Sequence, residues 1–143
     1  MKIGRITGMI IIILCSGISS FSQIMFQNKN REAVDVAFAR YVNNGTEGMW
    51  VTKGWSRIGP GTTVKVFDAI GANDSIGFFA ITRISETPYP GTRNLLVLPI
   101  DQFLIKNADQ ETVLENHPEY EWRQFRLIRL QPGKTSGTIA FTN

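Results

Sequence analysis

Cysteine and histidine are nearly absent from this chain of 143 residues, which has one of each, Cys15 and His117. A disulfide needs two cysteines, so the chain cannot close one within itself, although small exported domains often contain them. Thiolate sites for zinc and for iron–sulfur clusters are excluded for the same reason. We therefore predict a fold that is stabilised by its apolar core, with no metal and no cofactor.

Long apolar runs are also scarce, and the longest one lies near the N-terminus. Residues 9–15 form an apolar stretch that follows Lys2 and Arg5 and precedes several small residues. A positively charged start, a short apolar stretch and a small-residue end are typical of a secretory signal peptide. We predict that residues 1–22 are a signal peptide, that cleavage occurs beside Gln23, and that the mature protein is periplasmic or secreted.

Two other interpretations of the leader stay open. A retained membrane anchor needs about 20 apolar residues, whereas Ser16 and Gly17 interrupt the run here. A lipoprotein would be acylated at Cys15, but the preceding residue, Leu14, is large where the processing peptidase requires a small one. We expect no stable membrane span after the leader is cleaved.

An excess of charge of one sign is missing from the mature chain. The full chain has 15 basic side chains. Without Lys2 and Arg5, the mature chain has 13 basic and 12 acidic side chains. A nearly neutral protein has little electrostatic attraction for a phosphate backbone. We therefore expect no nucleic-acid partner.

Apolar residues of the mature chain recur mostly at every second position. Val34, Val36, Phe38 and Val42 share one face of an extended segment, which is typical of a half-buried strand. Segments of this kind, separated by Gly, Pro and Asn turns, are predicted at 23–27, 34–42, 49–58, 62–67, 75–84, 95–98, 103–105, 121–130 and 135–141. The last two are predicted to form a terminal hairpin, and one helical turn is predicted near 109–114. The pattern indicates an all-β protein: residues 23–143 as one antiparallel β-sandwich or small barrel of about eight strands.

The most specific local pattern combines two tryptophans, glycines and a proline. Trp50 and Trp55 are five positions apart, so on a regular strand they would face opposite sides. Gly54 tolerates the backbone geometry of a bulge, which would change that facing. Pro60 and Gly61 suit the central positions of a type II turn. We interpret Gly54, Trp55, Pro60 and Gly61 as a structural motif in which Trp55 is a core residue and Trp50 is the more exposed ring.

This pattern resembles a bacterial family of small exported domains of unknown function, whose members are often labelled as predicted integral membrane proteins. The resemblance covers residues 26–29, Trp50, Gly54–Trp55 and Pro60–Gly61, and more weakly residues 101–108. It implies export and a β fold, and it implies no reaction. Thr62 follows the Pro-Gly pair here, where many relatives carry a cysteine, so no disulfide or metal role is carried over.

Aromatic side chains give the best indication of a binding function. Tyr41, Trp50 and Tyr89 are candidate ligand-binding residues, because aromatic rings stack on sugars and accept peptide side chains. We predict a non-catalytic domain that binds a saccharide, a peptide or an envelope protein, or that contributes structurally to the cell envelope.

A hydrolase with an unrecognised carboxylate site is the alternative function. Four acidic residues could supply the carboxylates: Asp101, Asp109, Glu111 and Glu115. Sequence spacing does not set the distance between two carboxyl groups on which glycoside hydrolysis depends. His117 lies in an acidic loop, and no G-x-S-x-G nucleophile elbow is present, so no catalytic residue is assigned.

The turn at 68–74 has oxygen ligands suited to calcium but lacks the alternating acidic spacing of a dedicated site.

Overall fold

The computed structural model of the chain describes residues 23–43, 45–68, 75–128 and 136–142. The predicted signal peptide and most of the predicted turn at 68–74 lie outside these residues. The described part contains nine strands and one helix: β1 (Gln23–Asn28), β2 (Val34–Asn43), β3 (Gly48–Ile58), β4 (Thr63–Asp68), β5 (Ile76–Thr82), β6 (Arg93–Val97), β7 (Phe103–Lys106), α1 (Glu111–Asn116), β8 (Glu121–Ile128) and β9 (Ser136–Phe141). The all-β prediction is confirmed.

The strands form two sheets. The smaller sheet has three strands in the order β4-β1-β9, and the larger has six in the order β6-β8-β5-β2-β3-β7. The larger sheet curls, so that β6 returns towards β3: the Thr52 hydroxyl donates to the Leu96 carbonyl at 2.6 Å, and the Leu96 N–H donates to the Ala108 carbonyl at 2.8 Å. The protein is therefore a β-sandwich on one face of the larger sheet and a half-barrel on the other.

The centre of the larger sheet is buried on both faces. The inter-sheet core lies between the two sheets and consists of Ile24, Phe26, Val34, Val36, Ile58, Phe67, Ile76, Phe78, Ala80, Tyr89, Ile128, Ile139 and Phe141. The half-barrel core lies inside the curl and consists of Ala37, Ala39, Trp50, Phe79, Leu95, Leu96, Val97, Ile105, Ala108 and Phe125. Successive residues of β2 alternate between these cores, so the first part of this strand is buried on both faces rather than half-buried.

The predicted terminal hairpin is wrong. β8 pairs with β5 and β6 in the larger sheet, whereas β9 pairs in parallel with β1 in the smaller one. The apolar side chains of β9 account for this choice, because Phe141 packs in the inter-sheet core with ring centroids 5.1 Å from Phe26, 5.4 Å from Phe78 and 4.9 Å from Tyr89. β9 also gives β1 hydrogen-bond partners on the side that β4 leaves open.

The predicted irregularity at Gly54 is confirmed. Val36 lies opposite Ser56 and Phe38 lies opposite Lys53, so two residues of β3 face one residue of β2, which defines a bulge. A Cβ atom on Gly54 would lie 2.7 Å from a ring carbon of Phe103, so any other residue here would force the Phe103 ring to move.

The Pro-Gly turn is also confirmed. The Thr62 N–H donates to the Gly59 carbonyl at 3.2 Å, and Gly61 has the positive φ of 69° that the third position of a type II turn requires.

The predicted order of burial of the two tryptophans is wrong. Trp50 is 6% exposed and belongs to the half-barrel core, whereas Trp55 is only partly buried at its margin. Segments that are distant in sequence cover Trp50: the Ala108 N–H donates to its carbonyl, and the Arg93 guanidinium lies 5.4 Å from its ring centroid. The bulge lets both rings contact the same core.

Candidate functional site

A groove with a volume of about 470 Å³ opens between the two sheets. β4 is an edge strand of the smaller sheet, and β2, β3 and β7 lie together at one side of the larger sheet. Residues from all four strands line the groove. The groove is therefore the part of the sandwich in which side chains do not fill the space between the sheets.

Strand register places the groove residues of the larger sheet on one surface. Phe38 of β2 lies opposite Lys53 of β3, and Lys53 lies opposite Leu104 of β7. Arg40 lies opposite Val51 in the next position of the same face. Because cross-strand partners point to the same side of a sheet, these side chains form one continuous surface.

Apolar side chains make up most of the groove wall: Phe38, Val42, Val51, Val64, Val66, Phe67 and Leu104. Phe38, Val64 and Val66 also pack against the inter-sheet core, so the inner part of the groove continues into it. Leu104 is 61% exposed. Exposed apolar area beside an apolar groove is typical of a contact surface.

Among the described residues, the charged ones that line the groove are all basic. They are Arg40, Lys53, Arg57 and Lys65. Arg57 forms an ion pair outside the lining, with its Nε 3.0 Å from Oδ1 of Asp35. Register places Arg40 and Lys53 on the face of the larger sheet that points into the groove, whereas Arg57 lies opposite Asp35 on the other face of that sheet. Lys65 lies opposite Met25, on the outer face of the smaller sheet. Two of the four basic side chains therefore point into the groove.

Neutral polar side chains are few in the groove: of the residues that the structure describes, Ser56 and Gln102 line it. The Gln102 amide already donates to the Trp55 carbonyl at 2.8 Å. A ligand with many hydroxyl or amide groups would find few side-chain partners for them, and unpaired polar groups lower affinity. The lining chemistry thus favours an apolar ligand over a saccharide.

The three aromatic residues predicted to bind a ligand do not form one surface. Tyr41 is 39% exposed and packs edge-on against Trp50, with ring centroids 5.6 Å apart, while Trp50 itself is buried. Tyr89 is buried in the inter-sheet core, where its hydroxyl accepts a hydrogen bond from Nδ2 of Asn30 at 2.7 Å. Neither Trp50 nor Tyr89 presents a ring face to solvent.

Sequence reasoning missed the groove residues Phe38, Lys53 and Leu104 as a site. A weak signal was present at Leu104, which lies between Phe103 and Ile105, so this short apolar run places an apolar side chain on each face of β7. The pairing of β7 with β3 cannot be read from this signal, and that pairing brings Leu104 beside Lys53.

The acidic residues considered for hydrolysis lie outside the groove. Asp101 accepts a hydrogen bond from the Gln102 N–H at 2.8 Å, and Asp109 Oδ2 is 3.6 Å from Arg93 Nη2. Glu111 and Glu115 are exposed on α1. Within the described ranges, no three residues among His, Cys, Asp and Glu are grouped so that they could hold a metal ion.

His117 lies on the surface after α1. Its ring stacks on Tyr120 with a centroid distance of 4.8 Å, and its Nδ1 is 3.3 Å from Oε1 of Glu119. No serine or threonine hydroxyl is among these described partners of His117, so its ring is not paired with a nucleophile. The contacts of His117 are ordinary surface contacts.

Comparisons with protein-family models, with curated proteins and with solved structures find no match to the chain. The resemblance to a family of small exported domains therefore stays a prediction. Among the described residues, no helix has the length and apolar content needed to cross a membrane. The chemistry of the groove is the basis for the function proposed below.

Proposed function

We propose that the protein is an exported, non-catalytic binding domain whose groove takes an apolar chain. The observation that carries this proposal is the apolar groove of about 470 Å³ between the sheets, with Leu104 exposed at its edge. Small-molecule sites have volumes of about 300–1,000 Å³ and mainly apolar linings. Burial of apolar surface, at roughly 25 cal/mol per Å², supplies the binding free energy.

The signal-peptide pattern of residues 1–22 supports export. The domain would then meet its ligand in the periplasm or outside the cell, where lipids and their breakdown products contact water. In the alternative of a purely structural envelope role, the groove would have no ligand to bind.

Calorimetric titration with decan-1-ol, a neutral apolar chain, tests this function. We expect saturable binding with one site, and we expect Leu104→Gln to weaken it about fivefold, because a partly buried leucine contributes roughly 1 kcal/mol. Ile100→Gln is the matched control, since Ile100 is 93% exposed and lies outside the groove. Absence of saturable binding, or equal effects of the two variants, would overturn the proposal.

A further inference from the structure

A second pocket, with a volume of about 590 Å³, lies at one end of the half-barrel, and we call it the mouth pocket. Asp35 of β2 lies opposite Arg57 of β3 and opposite Ile81 of β5, and cross-strand partners share a face. Because Ala37, two residues from Asp35, belongs to the half-barrel core, this face is the inner face of the curl. Trp55, Arg83 and residues 99–102 complete the lining.

Asp35 holds the two arginines of the mouth pocket in place. Its Oδ1 lies 3.0 Å from Arg57 Nε, and its Oδ2 lies 3.6 Å from Arg83 Nη1. The Asp35 side chain is largely buried, whereas both arginine side chains are about half exposed. A guanidinium carries five N–H donors, so each arginine keeps donors for a ligand after it has bound Asp35.

Hydrogen-bond acceptors come from the connection between β6 and β7. The Gln102 side chain is fixed because its Nε2 donates to the Trp55 carbonyl at 2.8 Å, and its Oε1 is an acceptor. The Asp101 carboxylate accepts the Gln102 N–H through Oδ1 and has further acceptor sites. Among the described lining residues, two arginines accompany two aspartates, so their formal charges cancel.

Trp55 gives the mouth pocket an aromatic surface. Its Nε1 donates to the Leu98 carbonyl at 2.8 Å, and its ring packs edge-on with Phe79 and Phe103 at centroid distances of 6.0 Å and 5.7 Å. The ring is only partly buried. Since these contacts hold the ring before a ligand arrives, binding costs little side-chain entropy.

We propose that the mouth pocket binds a neutral saccharide. Sugar hydroxyls both donate and accept, so they match the guanidinium donors and the acceptors of Asp101 and Gln102. The C–H face of a sugar ring would stack on Trp55, and the balanced charge of the lining favours a neutral ligand. This inference does not rest on the proposed function, because it concerns a second site with a different class of ligand.

An apolar chain and a peptide strand fit the mouth pocket less well. An apolar chain would cover Asp35, Arg57 and Arg83 without replacing their hydrogen bonds to water, which costs free energy. A peptide strand would pair with the free edge of β3, but the Gln102 side chain already binds the Trp55 carbonyl there.

Titration with cellotriose, followed by tryptophan fluorescence, tests the stacking contact. We expect a saturable change in emission that disappears in Trp55→Phe, since the stacked indole is then missing. Trp122→Phe is the matched control and should keep the change, because Trp122 is also partly buried but does not line the mouth pocket.

Calorimetric titration of two polar variants tests the hydrogen bonds. Arg83→Gln and Asp101→Asn should each weaken cellotriose binding about fivefold, and the asparagine can still accept the Gln102 N–H. Arg31→Gln and Glu115→Gln are the controls, because both residues are exposed and lie outside the mouth pocket. Neither Arg83 nor Asp101 lines the groove, so these variants should bind decan-1-ol as the parent does. Equal unfolding midpoints would show that a loss of binding is not a loss of fold.

Charged trisaccharides with the same β-1,4 backbone test the choice of a neutral ligand. We expect the glucuronate trimer and the glucosamine trimer both to bind more weakly than cellotriose, because the charges of the lining are already paired. Tighter binding of either charged trimer would contradict a neutral ligand.

Two further outcomes would overturn the inference. Absence of saturable cellotriose binding, or equal effects of the pocket variants and their controls, would show that the mouth pocket is not a saccharide site. Tighter binding of a short peptide than of cellotriose would replace the saccharide with a peptide. In either case the proposed function stands, since decan-1-ol binding in the groove tests it separately.

Discussion

Trp50 lies in the half-barrel core under the Arg93 guanidinium, with its backbone carbonyl accepting the Ala108 N–H. Trp50→Ala should lower the free energy of unfolding by about 3–5 kcal/mol, as other buried large-to-small changes do. Trp55→Ala should cost less, because its ring is only partly buried. Denaturant unfolding of both variants beside the parent measures the difference.

The variant Trp55→Phe measures how much the indole hydrogen bond contributes to stability. Trp55 Nε1 donates to the Leu98 carbonyl at 2.8 Å, so we expect loss of this bond to cost about 1 kcal/mol. If Trp55→Ala were more destabilising than Trp50→Ala, the assignment of Trp50 to the half-barrel core would be contradicted.

The phenol of Tyr89 makes the free energy of unfolding depend on pH in the alkaline range. Burial raises the pKa of its phenol above the ordinary value of 10.0, although the hydrogen bond from Asn30 lowers it in part. In the pH range between the unfolded and folded pKa values, the folded protein keeps a proton that the unfolded chain has lost. The resulting stability is fully present below about pH 10 and is lost as the pH rises towards the folded pKa.

We therefore expect the free energy of unfolding of the parent to fall more steeply than that of Tyr89→Phe between about pH 9 and about pH 11. Denaturant unfolding at a series of pH values measures both slopes. Parallel curves would show that the Tyr89 phenol has the same pKa in the folded and unfolded states.

The connection between β1 and β2 takes the chain from the smaller sheet to the larger one, and Asn28 holds it in place. Its side-chain amide donates to the carbonyls of Glu32 and Ile58, both at 2.9 Å, and its Oδ1 accepts the Asn30 N–H at 2.9 Å. The Asn28 carbonyl also accepts the Gly61 N–H. One buried asparagine thus links the end of β1, the end of β3 and the Pro-Gly turn.

Asn28→Asp should lower the free energy of unfolding by about 3 kcal/mol or more, because a carboxylate cannot donate either hydrogen bond and would be buried with its charge. Asn43→Asp is the matched control: Asn43 is exposed and its Oδ1 accepts the Gly45 N–H, a role that a carboxylate retains. The control should stay within about 0.5 kcal/mol of the parent. Equal unfolding midpoints for the two variants near neutral pH would contradict this role of Asn28.

The pattern of residues 1–22 predicts how the protein is processed. If residues 1–22 are a signal peptide, the envelope or medium should contain a protein that begins at or near Gln23, since the apolar stretch is too short to span a bilayer comfortably. Intact mass spectrometry of the fractionated protein identifies this species. A product in the membrane fraction that retains the leader would support a membrane anchor instead.

Local patterns in the sequence determined where the strands and turns lie. Alternation along Val34–Val42, the turn at Pro60–Gly61 and the irregularity at Gly54 were predicted from neighbouring residues alone, because pleating, turn geometry and bulges depend on short stretches of backbone. The all-β class follows from the same local signals. The site aromatics were misjudged, since the burial of Trp50 depends on β6 and on Ala108, which lie far away in sequence.

Tertiary structure alone decided how the strands associate and what the uncovered surface can bind. β9 lies beside β1 rather than β8 because Phe141 fills the inter-sheet core, and no local pattern encodes that contact. The groove arises in the same way: Phe38, Lys53 and Leu104 belong to three strands that the register brings together. Side-chain periodicity is set within a strand, but the choice of partner strand is set by which apolar faces can be buried together across the whole chain.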